Sequence, residues 1–168
     1  MKTLEGSELK ELLVKCWMTH DGTWFFSCMQ EYGIEAANRL NKAAIKALAP
    51  IELRRVTRAL GIKAEGLESF EEVRQAIDGA FSVVGGDFMG FDYDYPEENV
   101  LHWVMHRCFA LEGMKMIGAY ETYECGVLYR VMCWLDNLGV SYSVEPRIEG
   151  CLMRETGTCE GTVTLELS

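Results

Sequence analysis

The sequence lacks most of the features that assign a protein to a class at sight. No apolar run approaches the ~18 residues needed to span a bilayer. The opening "MKTLEGSELKELLVK" alternates charged and apolar side chains, so it does not read as a signal peptide. These two absences lead us to expect a cytoplasmic protein with no membrane partner. Positive charge is also scarce, with 16 Lys and Arg against 26 Asp and Glu and a formal charge of −10. A chain so acidic repels phosphate backbones, which argues against nucleic acid as a partner. There is no C-x-x-C unit, phosphate-binding loop, dinucleotide fingerprint, G-x-S-x-G or H-E-x-x-H. Internal repeats, low-complexity tracts and linkers are absent too.

The 168 residues present are 49% apolar, enough for one domain that buries roughly 70% of its unfolded-chain surface. Seven cysteines, an odd number in no short-spaced framework, read as reduced thiols. Helical patterning dominates the first half. Ser7 is a candidate N-cap, with Glu8 and Glu11 following where the helix dipole favours acids. From there to about Tyr32, Leu9, Leu13, Cys16, Trp17, His20, Trp24 and Cys28 fall on one face at ~100° per residue. Gly33 ends that helix. A second runs from about Ile34 to Leu48 and is expected to break or kink at Pro50, resuming as far as Gly61. Ser69 to Glu72 is a capping box that opens a third helix to about Phe81.

The texture then changes. Phe91, Tyr93 and Tyr95 alternate with polar or small residues, and Leu101, Trp103 and Met105 alternate with Val100, His102 and Val104. Both are strand patterns and together suggest an antiparallel hairpin. A short helix at about Ala110–Ile117 and a longer one at about Tyr123–Leu138 follow. Two more strands, "VSYSVEP" and "TVTLEL", close the chain. The expected fold is α+β in a single domain spanning 1–168. A helical half (about 7–82) would pack beside an antiparallel sheet of about four strands with two inserted helices (about 83–168).

Several residues could carry chemistry. His20 and Trp24, four apart, stack on the apolar face of that helix, within "THDGTW". A buried imidazole needs a hydrogen-bond partner, and Asp21 diverges from it by ~100°, so the partner should lie on another element. Two readings follow: a satisfied core histidine, or the wall of a ligand pocket drawing on His20, Asp21, Trp24, His106 and Tyr123. Gly22 costs ~1 kcal/mol against alanine inside a helix, which hints at close approach by another segment or a ligand, or at a kink. On a strand, His102 and His106 sit ~13 Å apart and cannot share a metal, whereas His106 and Cys108 are ~7 Å apart on one face. Cys108, Cys125, Cys151 and Cys159 could converge in the fold as ligands for a soft cation such as zinc. Cys125 stands where a helix should start, and free N–H groups there favour thiolate. The alternative is that all of these thiols are small core hydrophobes.

The segments "WMTHDGTWF", "NRLNKAAIKALAPIELRRVTRALGI", "RCFALEGMKMIGAYETYECG" and "WLDNLGVSYSVEPRIEGCL" resemble a family of small uncharacterised cytosolic proteins of anaerobic bacteria and archaea. More distantly, the C-terminal half is similar to L-2-amino-thiazoline-4-carboxylate hydrolase-like proteins and to small-molecule-binding domains of the 4-vinyl reductase type. That resemblance implies a ligand or metal pocket between helices and sheet, with Cys108, Cys125, Cys151 and Cys159 at the matching positions.

Three functions are compatible with these readings. The first is a small-molecule or metal-binding module. The second is a cysteine-dependent hydrolase of a small heterocyclic or amide substrate, with Cys108 or Cys125 as nucleophile, His106 or His20 as base and Glu112 as acid. The third is an interaction subunit using an exposed patch around Trp103 and Met105, with a homo-oligomer as one form.

Overall fold

The computed structural model describes residues 2–167. Two long helices come first, α1 (Gly6–Tyr32) and α2 (Ile34–Leu60). They reverse direction at Gly33, whose φ of +83° would strain any residue with a Cβ. Ser7 is not the cap of α1: the helix starts two residues earlier, at Gly6 after Glu5, with no side-chain capping bond. α2 passes through Pro50 without ending. The missing N–H costs ~3 kcal/mol in a helix interior. Around it Ala49, Leu53, Val56 and Thr57 are all buried, and that packing outweighs the local cost. Gly61, in the left-handed conformation, stops the helix.

α3 (Phe70–Val84) opens with the expected cap, the Glu72 amide donating to Ser69 Oγ at 3.3 Å. Its Val73, Ala76, Ile77 and Ala80 are wholly buried. A 3-10 turn (Asp87–Met89) leads into β1 (Phe91–Glu97) and β2 (Val100–Met105). Next come α4 (Phe109–Met116), α5 (Gly126–Leu138), β3 (Ser141–Glu145), the short α6 (Leu152–Thr156) and β4 (Glu160–Glu166). The four strands form one antiparallel sheet in the order β1-β2-β4-β3. The fold is therefore α+β: a helical N-terminal segment beside a four-stranded antiparallel sheet, with further helices inserted between the strands.

Strand alternation decides which side of the sheet is covered. Leu101, Trp103 and Met105 of β2, with Val163 and Leu165 of β4, face α3 and α5 and form the main core with Ile77, Leu135 and Trp134. Trp103 and Met105 are thus core residues, 2% and 3% exposed, and not the partner patch considered from the sequence. The opposite face of the sheet is polar. There His102 bridges three strands, with Nδ1 2.8 Å from Asp94 on β1 and Nε2 3.2 Å from Glu160 on β4. Both contacts raise its pKa above the ordinary imidazole value.

α1 lies differently from the sequence expectation. Its inward residues include Val14, Met18, Gly22, Phe25 and Cys28, while Leu9, Leu13, Cys16, His20 and Trp24 form an exposed outer stripe. Apolar residues occur all round this helix, so periodicity alone did not fix which face turns in. Among the described residues no helix is long and apolar enough to cross a membrane.

Candidate functional site

α1 packs against α2 and makes further contacts near its two ends and at Trp17. Near its start, Glu11 accepts a hydrogen bond from the Asp87 amide at 3.1 Å and pairs with Lys15 at 3.0 Å. Lys15 in turn sits 5.5 Å from the centre of the Phe88 ring. The Lys15 ammonium, helped by the Asp87 amide, lowers the Glu11 carboxyl pKa. Near its far end, Phe25 and Cys28 join Ala37, Met114, Ala119 and Tyr123 in a second small core, with Phe25 edge-on to Tyr123 at 5.8 Å. Between Glu11 and Phe25 the helix runs ~21 Å at 1.5 Å per residue. Beneath that span lies a cleft of about 1080 Å³.

The cleft walls are largely apolar. α1 contributes Met18, Gly22, Phe25 and Phe26, and the segment from the end of α3 contributes Phe81, Val84 and Phe88. Phe91, Tyr93 and Met105 come from the sheet, Phe109, Gly113 and Met114 from α4, and Val127, Val131 and Trp134 from α5. Two lysines (Lys10, Lys15), three aspartates (Asp21, Asp87, Asp92) and His106 bring mixed charge. Two of the glycines are informative. A Cβ added to Gly22 or to Gly113 would meet nothing within 4 Å, although each sits inside a helix. Neither is required by a tight approach of backbone. Gly126, by contrast, is crowded by Asn41 and Ile45.

One cation sits among these apolar walls. Arg130 of α5 lines the cleft and its guanidinium lies 4.7 Å from the centre of the Trp17 ring and 5.8 Å from that of Trp134. Glu52, buried on α2, accepts from Arg130 Nε at 2.9 Å and from Nη2, and also from Trp134 Nε1 at 2.9 Å. The pair is therefore neutral and its carboxylate fully engaged, as burial of two charges requires. Sequence reasoning missed both residues. Glu52 reads as an ordinary helical acid, and nothing local shows that α2 turns it inward.

Of the residues proposed from the sequence, Asp21, His106 and Tyr123 line the cleft. His20 and Trp24 do not. The His20 side chain is 77% exposed, with Asp21 at 3.5 Å as its acidic neighbour, and Trp24 is 64% exposed on the outer stripe. Asp21 and His20 are therefore neighbours after all, since an exposed imidazole can swing toward the next residue.

The zinc expectation is corrected. Among the described residues no group of three or more His, Cys, Asp or Glu could hold a metal ion. Cys108, Cys125 and Cys151 each precede a helix, and Cys159 stands just before β4. They are near enough to influence one another electrostatically, yet each occupies its own niche. The Leu111 amide donates to Cys108 Sγ at 3.4 Å, and Cys151 and Cys159 are buried in packing. Cys125 does not favour thiolate. Burial pushes its pKa up to about 12, outweighing the Leu128 amide, and burial likewise takes Cys159 to about 11. Thiols held protonated in this way are poor ligands and poor nucleophiles.

The cysteine-hydrolase constellation fails for related reasons. His106 Nε2 lies 2.9 Å from Asp92, and no imidazole bonds a thiol among the described residues. Glu112 cannot serve as a general acid. Arg107 holds it through two hydrogen bonds of 2.7 and 2.8 Å and lowers its pKa.

Residues 4–78, which cover α1, α2 and much of α3, match the profile of a family of unknown function, DUF6125. No curated protein and no solved structure matches the chain. The family match therefore includes the α1 wall of the cleft and Glu52, but not Arg130 or α4.

Proposed function

We propose that this protein binds an apolar small molecule in the cleft beneath α1. The reading rests above all on Gly22 and Gly113. Each forgoes ~1 kcal/mol of helix stability relative to alanine. Neither glycine is needed for backbone conformation or close packing, and both leave space on a wall otherwise built of large side chains. A site that selects for room, with aromatic and methionine walls and few polar groups, suits an apolar ligand. The cleft, at about 1080 Å³, is at the upper end of small-molecule sites. It has room for a multi-ring compound or a long chain. The acidic charge balance supports a ligand other than nucleic acid.

Nile red, an uncharged solvatochromic dye, tests the proposal. We expect blue-shifted, saturable emission with the purified protein. Gly22→Phe and Gly113→Phe should each weaken it, because both new side chains grow into the cleft. Undiminished binding by both variants would refute the reading.

The outer stripe of α1 supports a second role, as a surface for self-association. Leu13 at 59% exposure and Trp24 at 64% are large apolar groups that stand exposed on one helix.

A further inference from the structure

We infer that the ligand of the cleft is an uncharged molecule whose carbonyl-type oxygen is recognised by Arg130, with Glu52 serving to exclude anionic competitors. The inference rests on the cleft being the binding site and deepens that reading. Arg130 has five N–H donors in a rigid fork. Glu52 takes those of Nε and one of Nη2. Nη1 has no hydrogen-bond partner among the described residues, and it is not among the buried atoms left without one. It is therefore an accessible donor on a residue that lines the cleft. Trp17 and Trp134 flank the guanidinium and restrict where the side chain can go.

Charge balance then decides which acceptor fits. The Glu52 carboxylate already neutralises Arg130 and has both oxygens engaged, by three donors in all. A carboxylate or phosphate on the ligand would bring a third, uncompensated charge into apolar surroundings, and the desolvation penalty is large. A neutral carbonyl gains a charge-assisted hydrogen bond from Nη1 at no such penalty. Of the other cations of the lining, Lys15 is engaged by Glu11 at 3.0 Å and Lys10 stands exposed on α1. Glu52 thus acts as a positioning residue that sets specificity through Arg130.

The test is competition against Nile red on the full chain, using probes of similar length: 2-undecanone, undecane, decanoate and decylammonium. We expect the ketone to compete roughly tenfold better than undecane or decanoate, as loss or gain of one charge-assisted hydrogen bond implies. Decylammonium should be the weakest. In Glu52→Gln the preference should invert toward decanoate, because Arg130 then carries an unpaired charge while Trp134 keeps an amide oxygen to donate to. Far-UV circular dichroism shows whether that variant is folded, and the wild-type series decides the matter without it. Equal competition by ketone, hydrocarbon and carboxylate, or a wild-type preference for decanoate, overturns this inference alone. Failure of the wild type to bind Nile red at all sinks the cleft reading and this inference with it.

Discussion

Gly22 offers the sharpest separation of stability from function. Its Cβ position is empty to 4 Å, so Gly22→Ala should gain the full difference in helix propensity, about 1 kcal/mol. For a chain of 168 residues that corresponds to a rise in Tm of about 2–4 °C. Gly22→Phe should gain more. Phenylalanine is also a better helix former than glycine, and its ring would lie against Met18, Phe25 and the facing cleft wall. If half of a ring's ~200 Å² is covered, burial adds about 2.5 kcal/mol at ~25 cal/mol per Å². The Phe variant should therefore be more stable than the native protein yet take up less Nile red. Differential scanning calorimetry and dye titration on the same preparations measure both. A fall in Tm for Gly22→Ala would mean that the space is not there. A stable Gly22→Phe that still binds dye with native affinity would mean that the space is not the site.

The buried pair gives a second prediction. Arg130→Met or Glu52→Met alone should cost about 3–5 kcal/mol in urea unfolding, and the double variant should recover most of it, because only the single changes strand a charge. For His102, an NMR titration should show a pKa above the ordinary 6.5, falling in Asp94→Asn. Since its folded pKa is raised, the stability it adds is fully present below about pH 6.5 and is lost as pH climbs through the folded value. Iodoacetamide at pH 8, followed by mass spectrometry, should label exposed Cys16 well before Cys125 or Cys159, whose burial keeps the thiol protonated. Equal labelling would contradict that burial. Trp24→Lys should leave the free energy of unfolding within about 0.5 kcal/mol of native, as surface changes do, while reducing any self-association seen by sedimentation.

The sheet was legible because its strands alternate cleanly. That Tyr93 and Trp103 share the covered face of the hairpin is consistent with their strand alternation, while their direct pairing depends on the turn. α3 was legible because Ser69 and Glu72 mark its start and its apolar residues keep to one face. α1 was legible as a helix but not in its rotation. Leu9, Leu13 and Trp24 compete with Val14, Met18 and Phe25 for the inward side, and the positions of α2 and α4 against the helix resolve the contest. Pro50 does not break α2, because a local penalty of a few kcal/mol is smaller than the packing of that helix against its neighbours. At the site, Gly22 could be flagged from its cost alone. The Glu52–Arg130 pair could not, since its members are 78 residues apart and each is unremarkable in its own helix. The cysteines erred the other way. They do gather in one region, but burial and capping give each thiol a separate place.

The sheet order has a consequence for how this chain is made. β4 lies between β2 and β3 and pairs with both, yet it comes after both of them in the sequence. While a ribosome is still adding residues 152–166, β1 and β2 can form only a two-stranded ribbon, and β3 has no neighbour. α1, α2 and α3 can already be packed together by then. The nascent chain must therefore carry an unfinished strand edge until β4 emerges, and that edge is where mispairing with another copy would begin.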